Sequence, residues 1–362
     1  MNLDTFIENK FPKFRQYFNT DHNFSIDYFF NQEPNSSFTK IPKTTDISIH
    51  SSIEDYISKI KTYSPPNYYV ANTKDIEVVA MNDVGSVNVV GNNNIVFSDI
   101  STRYEFDNFS YKRDYYFTGN NVLLSLDSGS NYFHWVCQIL PRIKLLEQSG
   151  LKWSKVNKIL IPEIRGHFVK ESLRALNVPM DKLVEQKSGC KYKFENLHIP
   201  SKPNNHIHLS KWSIDFLRET FIKKSNQSKL PKKIFISRKE KSGRHINNEK
   251  PVEKVLKNFG FQKFTLDDMS IFDQAILFNN ASHIITSHGA SLANLVFCNQ
   301  NTKVFELFNP NYFHALYWSI CNNLDLDYYY MICESPDSQN HKNASLKINL
   351  NDLKNILNHA NQ

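Results

Sequence analysis

Between Lys233 and Phe308 the chain switches so regularly between two hydrophobic periods that one architecture accounts for it. "KIFISR", "FQKFTL", "HIITS" and "TKVFELF" are short β-branched or aromatic runs that read as buried strands. Between them "EKPVEKVLKNFG", closed by Gly260, "SIFDQAILFNNA", capped by Ser270, and "ASLANLVFC" keep apolar residues at helical spacing. Strand and helix alternating at this length give a parallel sheet with helices on both faces, and ligands of such sheets gather at the carboxyl ends of the strands. Those ends carry Ser237-Arg238, Ser287-His288-Gly289 and Glu306.

Gly289 is the last of only 10 glycines, so its placement between strand and helix calls for a reason. Glycine lets backbone approach a ligand closely, and a helix start presents unpaired N–H groups, so Gly289, Ala290 and Ser291 suit an anion. The full dinucleotide and phosphate-loop glycine signatures are absent, and the same pattern equally fits a helix start packed tightly on a sheet, with Asn294 inside it. In "ISRKEKSGRHINNE", Arg238 and Arg244 offer rigid donor forks that could neutralise a diphosphate ahead of a helix opening at Asn248 and Glu249; the competing reading is a solvated basic loop. His288 could donate to the same anion, accept a proton, or be a hydrogen-bonded strand-end residue. Glu306, amid apolar neighbours, needs a partner, which a ribose diol or a buried arginine would supply.

Upstream, residues 1–60 read as a lead-in, and the stretch from Tyr68 to Tyr116 alternates β-branched residues with Asn, Asp and Gly as a small β-rich layer. A helix follows Asn131, with Pro141 set to kink or divide it. Asn131, His134 and Gln138 recur at i, i+3 and i+7, and a histidine of ordinary pKa about 6.5 on such a face is a candidate general base. A capping Asn131 and an interfacial histidine are the plainer alternative, while Arg142 either pairs with an acid or reaches an anion. "NKILIP", "HFVKESLRALNV", "FENLHIP" and "SKWSIDFLRETFIKK" continue as strand, helix, strand, helix. The division expected is therefore a lead-in at 1–60, an acceptor-side α/β domain at 61–222, a nucleotide-binding α/β domain at 231–335 and a tail at 336–362.

A net charge of +7 dispersed over 362 residues argues against a nucleic-acid groove, whose test is salt-sensitive retention of DNA or RNA. Five widely spaced cysteines without a C-x-x-C pair point away from zinc or a disulfide framework and towards a reducing cytoplasm. No secretory pattern and no apolar run of ~18 residues is present, so membrane contact is expected to be peripheral at most. Asp325 and Asp327 have the D-x-D spacing of metal-nucleotide sites but read as a surface turn, and His206 and His208 lack further ligands.

Taken in order, "NYFHWVCQILPRI", "ISRKEKSGRHINNE" and "SHGASLANLVF" followed by "KVFEL" resemble three elements of glycosyltransferase family 61, over roughly residues 120 to 335. The resemblance implies a GT-B-like fold, two Rossmann-like domains facing a cleft, that takes a nucleotide-sugar donor as co-substrate, inverts the anomeric centre and depends on no metal or other cofactor. It also implies a saccharide or lipid-linked saccharide acceptor and work at the inner face of the membrane in surface polysaccharide (capsule or lipopolysaccharide) synthesis. Gln138 stands where many members have Asp or Glu, which leaves His134 as the base, and Ser291 replaces a glycine while keeping its N–H and adding a hydroxyl. Arg238, Arg244, Ser291 and the N–H groups from Gly289 to Ser291 then hold the diphosphate, Glu306 the ribose, and Asn131, Gln138 and Arg142 face the acceptor. A non-catalytic sugar- or nucleotide-binding protein with a degenerate site is the alternative.

Overall fold

The structure is a computed structural model that describes residues 68–90, 112–205, 208–222, 230–238, 243–310, 312–336 and 343–360, together with short strands at 24–29, 36–37 and 62–63. The lead-in, the linker around 223–229 and the histidine at 206 otherwise lie outside the described residues. The chain divides into two compact units, whose main described parts are Pro65–Asn205 and His206–Gln362. Among the described residues no helix is long and apolar enough to cross a membrane.

The first unit holds a seven-stranded mixed sheet. In chain order its strands are β1 (Phe24–Phe29), β2 (Tyr69–Ala80), β3 (Val87–Val90), β4 (Arg113–Leu123), β5 (Val156–Ile161), β6 (Leu183–Glu185) and β7 (Cys190–Pro200). Their order across the sheet is β1-β2-β7-β4-β5-β6, with β3 on β2. β7, β4, β5 and β6 run parallel, and β1, β2 and β3 add an antiparallel wing. The wing is the β-rich layer expected from the sequence, as far as that layer is described. In the parallel half the strand earliest in sequence, β4, has β5 and β6 on one side and β7 on the other, so the topology reverses between β4 and β7.

The helix after β4 is continuous but not uniform: Tyr132–His134 is α-helical, Trp135–Ile139 winds as a π turn, and Leu140–Gln148 is α-helical again. Pro141 sits at the start of the second piece, where its missing N–H costs nothing, and the π turn absorbs the break that Pro141 imposes. The loop feeding this helix is clamped from below: Ser130 N–H donates to Val84 O at 2.8 Å, and the Ser86 hydroxyl to Asp127 Oδ1 at 2.5 Å. Gly85, at φ +125°, makes that clamp possible, because a Cβ there would stand 2.0 Å from Leu126 O.

Arg142 departs from both roles expected of it. The side chain is wholly buried, meets no carboxylate or open surface, and its guanidinium donates to Leu123 O (3.0 Å), Leu124 O (2.8 Å) and Pro200 O (2.8 and 2.9 Å). It therefore plugs the carboxyl ends of β4 and β7 at the point of reversal. Burial lowers its pKa to about 9, which leaves it charged at neutral pH.

The second unit is built on a five-stranded sheet, β8 (Lys233–Ile236), β9 (Gln262–Phe264), β10 (His283–Ser287), β11 (Lys303–Phe308) and β12 (Asp327–Ile332), ordered β9-β8-β10-β11-β12 and parallel throughout. Helices Glu249–Asn258 and Ile271–Asn280 connect the strands as the sequence indicates, and Ser270 caps the second through Asp273 N at 3.1 Å. Order reverses between β8 and β10, so the crevice of this unit opens between Ser237-Arg238 and Ser287-His288-Gly289.

Two boundaries differ from the sequence reading. Helix Lys211–Phe221 packs on the second unit: Arg218 donates to Val296 O (3.1 Å) and Cys298 O (2.6 Å), and Phe221 meets Phe297 edge to face. The stretch read as a tail contains helix Leu350–Ala360, whose Leu353, Ile356 and Leu357 enter the core beside Phe235 and Phe305. None of the five cysteines is in a disulfide.

Replacing Arg142 by leucine would strand at least three buried carbonyls, so the variant is expected to lose on the order of 3–5 kcal/mol of stability in a denaturant titration. Arg142→Lys, with a compact ammonium in place of the planar fork, is expected to recover only part of that loss.

Candidate active site

At the crevice of the second unit, Arg238 lies across Gly289. A Cβ built on Gly289 would fall 1.4 Å from Nη1 and 2.7 Å from Cζ of Arg238, and Nη1 donates to His288 O at 3.3 Å. The Gly289 backbone is extended (φ 171°), which any residue adopts, so the glycine supplies room rather than a special conformation. Burial, then the charge of Arg244, lowers Arg238 to about 10, and it remains a cation at neutral pH. Arg244 takes a left-handed backbone (φ 53°) and lies 5.4 Å over the Tyr312 ring. The two guanidinium groups lie near enough for the charge of one to be felt by the other.

The segment Ala290–Phe297 is a 3-10 helix and not the α-helix expected. Its Leu292 and Leu295 are spaced by three, the repeat on which a 3-10 helix aligns side chains. Beside its first turn, the Ser291 hydroxyl is buried without a hydrogen-bond partner among the described residues. Leu292 N–H closes on Gly289 O at 3.0 Å, which leaves the preceding N–H groups at the helix mouth.

His288 and Glu306 do come together, in a different relation from the one expected. Glu306 has no exposed surface; one oxygen accepts from His288 Nδ1 and the other from the Tyr328 hydroxyl at 2.6 Å. A carboxylate engaged at both oxygens and without exposed surface orients His288, a contact other than the ribose one expected. The imidazole stacks on Phe308 at 5.2 Å, with Tyr312 at 5.1 Å and Tyr317 at 5.2 Å around it. His314, nearby, is held down to about 4 by burial and then by His288, and its Nδ1 accepts from Leu316 N–H at 3.2 Å. Sequence reading does not reach Tyr312, His314, Tyr317 or Tyr328; for the first three the density of rings in "NPNYFHALYW" is the available signal, and for Tyr328 the run "DYYYM".

The remaining donor-side residues build the frame. Glu249 accepts from Ser237 at 2.7 Å and pairs with Lys263 at 2.5 Å, which fixes the end of β8. Asn248 bonds both N–H and O of Ile348, at 2.9 and 2.8 Å, and Asn294 donates to Gln274 at 2.9 Å in the core. These partners occupy the side-chain groups that sequence reading assigned to the donor. Asp325 stands exposed in a turn, whereas Asp327, read with it as part of a surface turn, opens β12; among the described residues no group of three His, Cys, Asp or Glu side chains converges to hold a metal ion.

In the first unit, Asn131 caps the π-containing helix by accepting from Phe133 N–H at 2.9 Å. His134 is half-buried, and its Nδ1 meets Gln138 Oε1 at 2.7 Å. An amide oxygen there requires Nδ1–H, which directs the Nε2 lone pair outward. Burial lowers the His134 pKa below its ordinary 6.5, opposed by the Gln138 hydrogen bond and the Asp127 charge. The side chain is therefore a neutral acceptor at neutral pH.

A crevice that offers guanidinium forks and a helix mouth to an anion, in a chain whose other unit presents an oriented neutral imidazole, has the parts of a group-transferring enzyme. Residues 132–305 match the family model described as Glycosyltransferase 61, and the chain carries a domain of that family. The match suggests a glycosyltransferase, an enzyme that works between a donor and an acceptor. The matched span starts beside Asn131 and takes in His134, Arg238, Arg244 and Gly289 to Ser291. A search of curated proteins finds no match.

Because Gly289 and Arg238 share one space, Gly289→Ala should displace the guanidinium and weaken binding of inorganic pyrophosphate about as much as Arg238→Ala, each by roughly one to two powers of ten. The double variant should be no worse than either single one by calorimetry, since both remove the same contact.

Proposed function

We propose that the protein is an inverting, metal-independent glycosyltransferase that moves a sugar from a nucleotide-sugar donor to a saccharide hydroxyl, its two units acting as the Rossmann-like halves of a GT-B enzyme. The observation that carries this reading is the Arg238 guanidinium seated over Gly289 at the point of strand reversal, with Arg244 near it and the buried Ser291 hydroxyl without a hydrogen-bond partner among the described residues. A diphosphate satisfies all three at once.

The chemistry follows from these groups. His134 Nε2 takes the proton of the acceptor hydroxyl as its oxygen attacks C1 of the donor sugar. The bond from C1 to the diphosphate breaks on the opposite side, and Arg238, Arg244 and the N–H groups from Gly289 to Ser291 receive the developing negative charge. Gln138 is the orienting partner of His134, so the loss of an acid at position 138 does not make the site degenerate. A saccharide or lipid-linked saccharide acceptor, and a place at the cytoplasmic face of the membrane in capsule or lipopolysaccharide assembly, complete the proposal.

Two measurements test it. Transfer should persist in excess chelator; complete loss restored by magnesium would overturn metal independence and return attention to Asp325 and Asp327. His134→Ala should lower turnover by at least about 10²-fold with nucleotide affinity nearly unchanged, and His134→Asn should not rescue it, because an amide cannot accept the proton. With the folded pKa depressed, kcat/KM should be level above pH 6.5 and fall as pH drops through a midpoint below it. The ring's contribution to stability has the same sign, complete above 6.5 and lost on acidification. Wild-type turnover by folded His134→Asn would remove the base assignment.

A further inference from the structure

On the first unit, away from the residues used so far, a cavity of about 530 Å³ lies between the edge strand β6 and helix His167–Ala175. Its volume is that of a small-ligand site. One wall is the end of an aromatic ladder: Tyr115 stacks on Tyr192 at 5.3 Å and 10°, and Phe117 on Phe194 at 5.4 Å, as the paired register of β4 and β7 requires. Lys170, Arg174 and Lys187 stand around the opening. Among the described residues no carboxylate pairs with any of the three side chains, and Glu185, the one acid of the lining, accepts from Ile164 N–H at 2.9 Å. Lys170 and Arg174 are moreover four apart on one helix, where like charges repel.

Positive charge in excess on a concave wall, three cations against the one carboxylate of Glu185, attracts an anion, and a tyrosine face suits the C–H surface of a sugar ring. We propose that this cavity is a second binding site, specific for a saccharide that carries carboxylate or phosphate groups, with Tyr115 under a ring and Lys170, Arg174 and Lys187 on its charges. If the protein is the transferase proposed above, the site selects an acidic acceptor; that step rests on the earlier reading, whereas the binding itself does not.

The test is calorimetric titration of the full chain with tetragalacturonic acid, glucose 6-phosphate and the neutral maltotetraose. At least one acidic probe should bind saturably and lose affinity with added salt, and which one binds tells carboxylate from phosphate. Alanine at Lys170, Arg174 or Lys187 should each weaken it about two- to fivefold, and the triple variant, whose changes are all on exposed side chains, by tenfold or more at an unchanged melting temperature. Tyr115→Ala should weaken it as well, while Arg238→Ala should leave it intact. Equal binding of maltotetraose, no binding of either acidic probe, or undiminished affinity in the triple variant would overturn the proposal. Absence of transfer from every nucleotide sugar, with this binding preserved, would instead remove the transferase reading alone.

Discussion

The guanidinium of Arg238 and a side chain at position 289 cannot both exist where they would have to be. From that exclusion follows much of the second unit's arrangement. Glycine at 289 brings the backbone of the helix start against a cation, β8 and β10 must be neighbours for the two residues to meet, and the parallel order that separates their connections puts both at the same end of the sheet. The His288, Glu306 and Tyr328 chain then anchors the next residue along the loop in the core, so the backbone under Arg238 is held from both sides. The first unit solves the corresponding problem differently. There Arg142 closes the reversal between β4 and β7 with its own donors, and His134 lies in the first turn of the helix that carries it.

Four of the five strands of the second unit's parallel sheet were legible because they and their helices announce their period within a dozen residues, whereas β12, in "DLDYYYM", reads as a turn. The common face of His134 and Gln138 was legible for a related reason, since both lie on one helix; the hydrogen bond between them came only with the structure. What escaped depends on partners distant in sequence. Glu306 finds Tyr328 only through the register of β11 on β12, and nothing local tells a buried carboxylate whether a ribose, an arginine or a tyrosine will meet it. Arg142 bonds main-chain carbonyls 58 residues away, acceptors that every sequence contains and none advertises. Helix Lys211–Phe221 shows an apolar face but not which sheet will cover it, and the basic stretch after it suggested a boundary some fifteen residues later than the one observed at Asn205. The two-cation crevice was foreseen as a list of residues; its geometry, with one residue clearing space for another, was not.

Arg244 owes its place to a part of the chain that touches no candidate ligand. Its N–H donates to Asn343 O at 3.1 Å, Leu346 bridges His245 and Asn247 with two bonds of 2.8 Å, and Asn248 grips Ile348 across 100 residues of sequence. During synthesis on the ribosome, therefore, a chain that has emerged through β12 holds Gly289 and Arg238 but has no means of fixing the loop that carries the second cation. The placement of Arg244 is finished by a clasp translated after all five strands of the sheet beneath it.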